Sequence, residues 1–217
     1  MTSSGAERSV EIERKYDADS ETPLPDWSRL APVARVGDAE PRSLDAVYLD
    51  TPARDLARAA TALRRRTGGP DEGWHIKRAT SEGKLELRWP LGEVGDAAPV
   101  MAVDVPADVV RALSELIGQD VSPRLQPVAR IRNARTAYAL LDAADGLVAE
   151  FVDDRVTATD LGRDRVTSWR EWEMELGPAG PAGPARTAFF AVVDDLVREA
   201  GGAVSPSGSK LGRALGV

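Results

Sequence analysis

The chain has no cysteine and only one histidine, His75, in 217 residues. Disulfides and thiolate metal sites are therefore excluded, and a zinc centre has too few ligands. Nucleophilic catalysis has little to work with, because His75 lies among basic residues without a clear nucleophile partner. No Walker motif, GxGxxG or GxSxG occurs, and no repeat of solenoid length. The N-terminus lacks an apolar signal core and no apolar run reaches membrane-spanning length. The expected compartment is the cytoplasm, with no membrane partner. The net charge of −7 argues against general nucleic-acid binding, which needs a dominant basic face. An acidic protein that binds an anion needs a focused basic pocket, usually with a divalent metal.

What the chain does have is alternation. Glu11, Glu13 and Lys15 share one face of a strand, with Val10, Ile12 and Tyr16 opposite. Arg64 and Arg66 share a face, as do His75 and Lys77, and Lys84, Glu86 and Arg88. Arg130 and Arg132 alternate around Ile131; Glu150, Val152 and Asp154 share a face; so do Glu171, Glu173 and Glu175. This is the signal of half-buried strands. A sandwich would turn the charges to solvent, whereas an antiparallel barrel can enclose them in a wet interior under covering helices. Within a strand the charges are nearly pure in sign, and like charges grouped this way weaken a sheet. The grouping makes sense if a cation sits among the carboxylates and a polyanion among the arginines and lysines.

The cover comes from the rest of the chain. Residues 1–8 read as a disordered tail. Short helical stretches are expected in Pro25–Val36 and Ala53–Ala60, and a helix over Pro106–Ile117 stopped by Gly118. Gly177–Pro184 reads as a linker, and Ala185–Ala200 as the clearest amphipathic helix, ended by Gly201-Gly202. The tail from Ser205 holds a short helical turn. Asp50-Thr51-Pro52 reads equally as a turn or a functional element. Trp74, Trp89, Trp169 and Trp172 read as packing between sheet and helices. What remains is oxygen chemistry: carboxylates for Mg²⁺ or Mn²⁺, and Arg and Lys for phosphates. Together these describe phosphoryl or nucleotidyl transfer.

Glu11-Ile12-Glu13-Arg14-Lys15 resembles the ExExK signature of the CYTH superfamily, the triphosphate tunnel metalloenzymes. Tyr48-Leu49-Asp50-Thr51, Leu63-Arg64-Arg65-Arg66, Trp74-His75-Ile76-Lys77, Glu150–Asp154, Glu171–Leu176 and Ser209-Lys210-Leu211 resemble further family segments in matching order, over about residues 9–215. The resemblance implies an α+β, mainly β, fold: an eight-stranded antiparallel closed β-barrel with a polar tunnel, covered by several α-helices, as a single domain over 9–217. It implies divalent metal held by Glu11, Glu13, Glu150, Asp154, Glu171, Glu173 and Glu175. It implies a triphosphate clamped by Lys15, Arg64, Arg66, Lys77, Lys84, Arg88, Arg130, Arg132, Arg135 and Lys210, with Lys15 and Glu13 nearest the chemistry. The expected partner is a small triphosphate, the expected assembly a monomer or homodimer. The activity implied is hydrolysis of inorganic tripolyphosphate; thiamine triphosphatase, class IV adenylyl cyclase and a non-catalytic polyphosphate sensor are the alternatives. The CHAD domain that often accompanies the family has no counterpart in these 217 residues.

Overall fold

The alternating stretches all become strand. The structure, a computed structural model, describes residues 5–91 and 104–216. In chain order the first strands are β1 (Glu7–Glu11), β2 (Glu13–Ala18), β3 (Arg35–Val36) and β4 (Glu40–Asp50). The short helix α1 (Asp55–Arg58) precedes β5 (Thr61–Thr67), β6 (Gly73–Ala79) and β7 (Lys84–Trp89). Helix α2 (Ala107–Ile117) leads to the three long strands β8 (Gln126–Leu141), β9 (Leu147–Asp160) and β10 (Arg165–Leu176). The chain ends with α3 (Gly183–Ala200), β11 (Ala203–Val204) and α4 (Lys210–Leu215).

The strands form one eleven-stranded antiparallel sheet in the order β1-β7-β6-β5-β4-β8-β9-β10-β2-β11, with β3 beside β8. This corrects the expected closed eight-stranded barrel: the sheet is curled into a half-barrel with, among the described residues, four α-helices. The N-terminal strand is broken at Ile12. Its first piece pairs with β7 at one end of the order, its second with β10 near the other. The break is invisible to periodicity, because Glu11, Glu13 and Lys15 still share the concave face. Strand β1 also begins at Glu7, inside the stretch read as a tail.

The convex face carries two cores. Helix α3 lays Phe189, Phe190, Val193, Leu196 and Val197 on Tyr16, Phe151, Trp172 and Met174. Each such buried side chain contributes roughly 1.5–3 kcal/mol. The helix begins at Gly183 with Pro184 in its first turn, so it takes the last residues of the expected linker. It stops where Gly201 adopts φ 98°, a left-handed conformation that suits glycine. The helix expected in Pro25–Val36 shrinks to one 3₁₀ turn, Trp27–Arg29, whose Trp27 packs 4.7 Å from the Phe151 ring. The second core sets Val109 and Leu113 of α2 against Val47, Leu63, Trp74, Ile76 and Trp89.

The concave face is divided. At one end Ala214 and Leu215 of α4 pack with Ala46, Tyr48, Ile131, Val156 and Ala158. The short C-terminal helix thus fills part of the curl with apolar side chains. The remainder is charged. Asp50 and Thr51 serve the fold: Asp50 Oδ1 accepts from the Thr51 and Leu56 amides at 2.7 and 3.0 Å, and Thr51 Oγ1 bonds Asp55 at 2.6 Å. Among the described residues no helix is long and apolar enough to cross a membrane.

Candidate functional site

The charged part of the concave face lines a cavity of about 630 Å³. Strand alternation aims the side chains. Strands β1 and β2 supply Glu11, Glu13 and Lys15, and β10 supplies Glu173 and Glu175. Arg64 and Arg66 come from β5, Lys77 from β6, Lys84 and Glu86 from β7, Arg135 from β8, Glu150 from β9 and Lys210 from the start of α4. Twelve residues expected at the site are thereby brought together. Asp154 and Glu171 lie just beneath this lining, 0% and 3% exposed.

Three expected phosphate ligands lie elsewhere. Arg130 pairs with Asp45 at 2.5 Å, and Arg132 is exposed. Strand β8 turns Ile131, Asn133 and Arg135 into the cavity, so 130 and 132 must face away. Grouping them with Arg135 mixed the two parities of one strand. Arg88 shares the face of Lys84 and Glu86 but lies at the sheet's end, where its Nε donates to Glu7 at 3.0 Å. Conversely, Arg42, Tyr48 and Asn133 line the cavity unannounced. Arg42 donates to both oxygens of Glu150, at 3.1 and 3.0 Å. Its parity with Tyr48 on β4 was the available signal.

On the acidic side, Asp154, Glu171 and Glu173 each offer a carboxylate oxygen, all within 4.8 Å of one another. The Lys210 ammonium sits among them, 2.9, 2.6 and 2.7 Å away. Arg135 adds a two-pronged contact to Asp154 at 2.8 and 2.7 Å and one to Glu173 at 3.0 Å. Lys15 bonds Glu173 and lies 3.2 Å from Glu13, which also accepts from Lys84 at 2.5 Å. Burial opposes ionisation of Glu173, yet Lys15, Lys210 and Arg135 hold its carboxyl well below the usual range. Burial likewise disfavours the Lys210 charge, but Asp154, Glu173 and Glu171 raise its pKa. Glu175 lacks such relief. Burial, with Glu11, Glu13 and Glu173 nearby and only Lys77 opposing, pushes it up to about 7.

The basic side is the mirror image. Arg64 touches the Tyr48 hydroxyl at 3.3 Å and Glu86 at 3.9 Å. Arg66 donates to the Asp71 backbone carbonyl at 3.0 Å and ion-pairs with the Asp71 carboxylate. Among the described residues the buried Nε atoms of Arg64 and Arg66 have no hydrogen-bond partner. Burial, with Arg64 and Arg135 as neighbours, pushes Arg66 down to about 9. Lys77 bridges the halves, bonding Glu11 at 2.7 and 2.5 Å and lying 3.3 Å from Glu86.

The carboxylate cluster suits a hard divalent cation. Its donors are all oxygen, and the buried Glu171 Oε1 accepts no hydrogen bond, meeting only the Lys210 charge.

A family model, CYTH domain, matches residues 9–189. The chain belongs to the CYTH family. Its members include triphosphatases and adenylate cyclases, and the ExExK strand, the cation wall and the carboxylate wall described above all fall in or beside the matched region. An uncharacterized protein of Mycobacterium tuberculosis, Rv2226, is 39% identical over 223 residues, covering 96% of this chain and 40% of that protein. The chain therefore spans well under half the length of this curated relative. Two solved structures share the fold. A candidate adenylate cyclase from Bacillus halodurans matches with a TM-score of 0.65 at 20% identity, covering 95% of this chain and 97% of that one. HpAC1 from Hippeastrum, a candidate adenylyl cyclase described as having a dominant triphosphatase activity, matches with a TM-score of 0.52 at 17% identity, covering 95% and 96%.

Proposed function

We propose that this CYTH protein is a metal-dependent triphosphatase, with inorganic tripolyphosphate as substrate and Mg²⁺ or Mn²⁺ as cofactor. One observation carries the reading: a single cavity crowds carboxylates at one side until Glu175 holds its proton to about 7, and guanidinium groups at the other until Arg66 falls to about 9. Each excess is relieved by the opposite charge of a metal–triphosphate complex. A fold neighbour described by its triphosphatase activity points the same way.

Asp154, Glu171 and Glu173 would hold the metal, with Glu11, Glu13 and Glu175 on the cavity side of them. A bound divalent cation supplies charge neutralisation and a lowered pKa for water. The chain's own residues do the rest. Arg64 and Arg66 offer unpartnered Nε donors to phosphate oxygens. Arg135, Lys77, Lys84 and Lys210 screen the remaining negative charge. Lys15, set between Glu13 and Glu173, orients the water or the terminal phosphate. Water attacks the terminal phosphorus, the bond to the bridging oxygen breaks, and pyrophosphate leaves with the negative charge held by the arginines.

The test is phosphate release from tripolyphosphate, ATP and thiamine triphosphate with Mg²⁺ or Mn²⁺. Release fastest from tripolyphosphate and lost in Glu13→Gln supports the reading. Binding without turnover of any of the three overturns it in favour of a sensor, and cyclic AMP formation from ATP overturns it in favour of a cyclase.

A further inference from the structure

His75 is fully buried behind the cation wall, at 0% exposure. Its Nδ1 lies 2.8 Å from Glu86 Oε1, and its Nε2 lies 3.0 Å from the Asp71 backbone carbonyl oxygen. A carbonyl oxygen only accepts, and so does an ionised carboxylate. Turning the ring over would put Cδ2 and Cε1 at these two positions, so both contacts depend on the ring orientation present. A neutral imidazole has one N–H. It satisfies one of these acceptors and aims a lone pair at the other, which costs free energy in a buried site.

The partners on either side matter to the anion site. Glu86 Oε1 lies 3.3 Å from Lys77 Nζ and 3.9 Å from Arg64. The Asp71 carbonyl also accepts from Arg66 at 3.0 Å. All three cations are thus one contact removed from the same ring. Burial, together with Arg64 and Arg66, pushes the imidazole down to about 3, while the adjoining carboxylate pulls it back up. Lys77 and Arg64 help His75 keep Glu86 below its ordinary value, against the effect of burial.

We propose that His75 is a positioning residue of the phosphate-binding wall: the neutral ring's single N–H, at Nδ1, bridges to the ionised Glu86 and fixes that carboxylate as the anchor of Lys77 and Arg64, while Arg66 serves the Asp71 carbonyl. The binding consequence rests on the triphosphate reading; the proton bridge does not.

Two side chains separate the two bonds. Asn places an amide nitrogen near the position of Nδ1, and Gln places one near Nε2. His75→Asn keeps the link to Glu86; His75→Gln loses it and reaches only the Asp71 carbonyl. Binding of inorganic tripolyphosphate is measured by calorimetry with divalent metal chelated, after circular dichroism has shown each variant folded. The Asn variant is expected within about threefold of wild type, and the Gln variant about tenfold weaker, the size of one charge-assisted hydrogen bond. Equal affinities for the two variants overturn the proposal. Because His75 is the sole histidine, the imidazole proton and nitrogen spectrum of the wild-type protein has one source. A low-field proton on the Nδ1 side at neutral pH supports the bridge; a bare Nδ1 with no proton from either partner overturns it. If wild type binds no tripolyphosphate, the triphosphatase reading fails, while the spectrum still decides the bridge.

Discussion

The two walls of the cavity hold comparable charge but settle it differently. On the β9–β10 side, the carboxylates of Asp154, Glu171 and Glu173 are neutralised within the chain by Lys210, Lys15 and Arg135. On the β5 side, Arg64 and Arg66 keep buried Nε atoms without partners. Ion pairs stabilise the acidic wall almost completely; the basic wall is paired less completely, since beyond the Arg64–Glu86 and Arg66–Asp71 pairs each arginine keeps a buried Nε without a partner among the described residues. Charge is therefore balanced more fully within the chain on one wall than on the other. Substitutions should separate the two.

The largest effect is expected at Glu173. Glu173→Ala leaves Lys15, Lys210 and Arg135 buried beside a missing partner. Breaking a buried pair from one side costs about 3–5 kcal/mol. Denaturant unfolding should show that loss, and phosphate release should fall at least about a hundredfold. Near-wild-type stability would mean that the acidic wall is not held by its own ion pairs.

Arg66→Met should do the reverse. Tripolyphosphate affinity should weaken about tenfold or more, the value of a lost charge-assisted contact. Stability should stay within about 1 kcal/mol, because relief of guanidinium crowding offsets the loss of the Arg66–Asp71 pair, whose carboxylate is half exposed. Loss of stability as large as that of Glu173→Ala would erase the difference between the walls.

Lys210→Met sharpens the comparison on the acidic side. The ammonium occupies the space among three carboxylates where a cation would bind. Without it, Mn²⁺ should bind about tenfold tighter in the absence of triphosphate. Lys84→Met removes a charge from Glu13 but not from that cluster, so it should change Mn²⁺ affinity far less. Arg213 of α4 stacks 4.8 Å from the Trp169 ring. Displacement of Lys210 by metal should therefore alter tryptophan fluorescence.

How far the sequence revealed these walls depends on parity. Glu11, Glu13, Lys15, Arg64, Arg66, Glu173 and Glu175 were legible because alternation on each strand is unbroken through the cavity. Arg130 and Arg132 were misread because β8 is charged on both faces, and one strand alone does not say which face is concave. The half-barrel was hidden because the break at Ile12 interrupts hydrogen bonding without disturbing the charge pattern. Helix α4 was only a short helical turn in the sequence. Six residues, one of them Gly212, carry too little periodicity to show that Ala214 and Leu215 would pack inside the curl. His75 lies among basic residues in the sequence, and the structure buries it. The acceptors at both nitrogens come from two different segments, and no spacing rule joins them.

The last effect concerns pH. Burial, with Glu11, Glu13 and Glu173 around it, lifts Glu175 from 4.5 to about 7. A carboxyl whose pKa is raised by folding binds its proton more tightly in the native state than in the unfolded chain. Its contribution therefore favours the native state most below the ordinary carboxylate range, declines as pH climbs from 4.5 toward about 7, and levels off above that. Glu175→Gln should remove this decline, gaining about 3 kcal/mol at neutral pH and nothing in acid. The two unfolding curves should therefore converge at low pH. Divalent metal should mimic the substitution in the wild-type protein, since a cation beside Glu175 favours the ionised carboxylate, and should release protons as it binds. An unchanged pH slope in Glu175→Gln would mean that the carboxylates of the acidic wall are already balanced, and that metal has no electrostatic excess there to relieve.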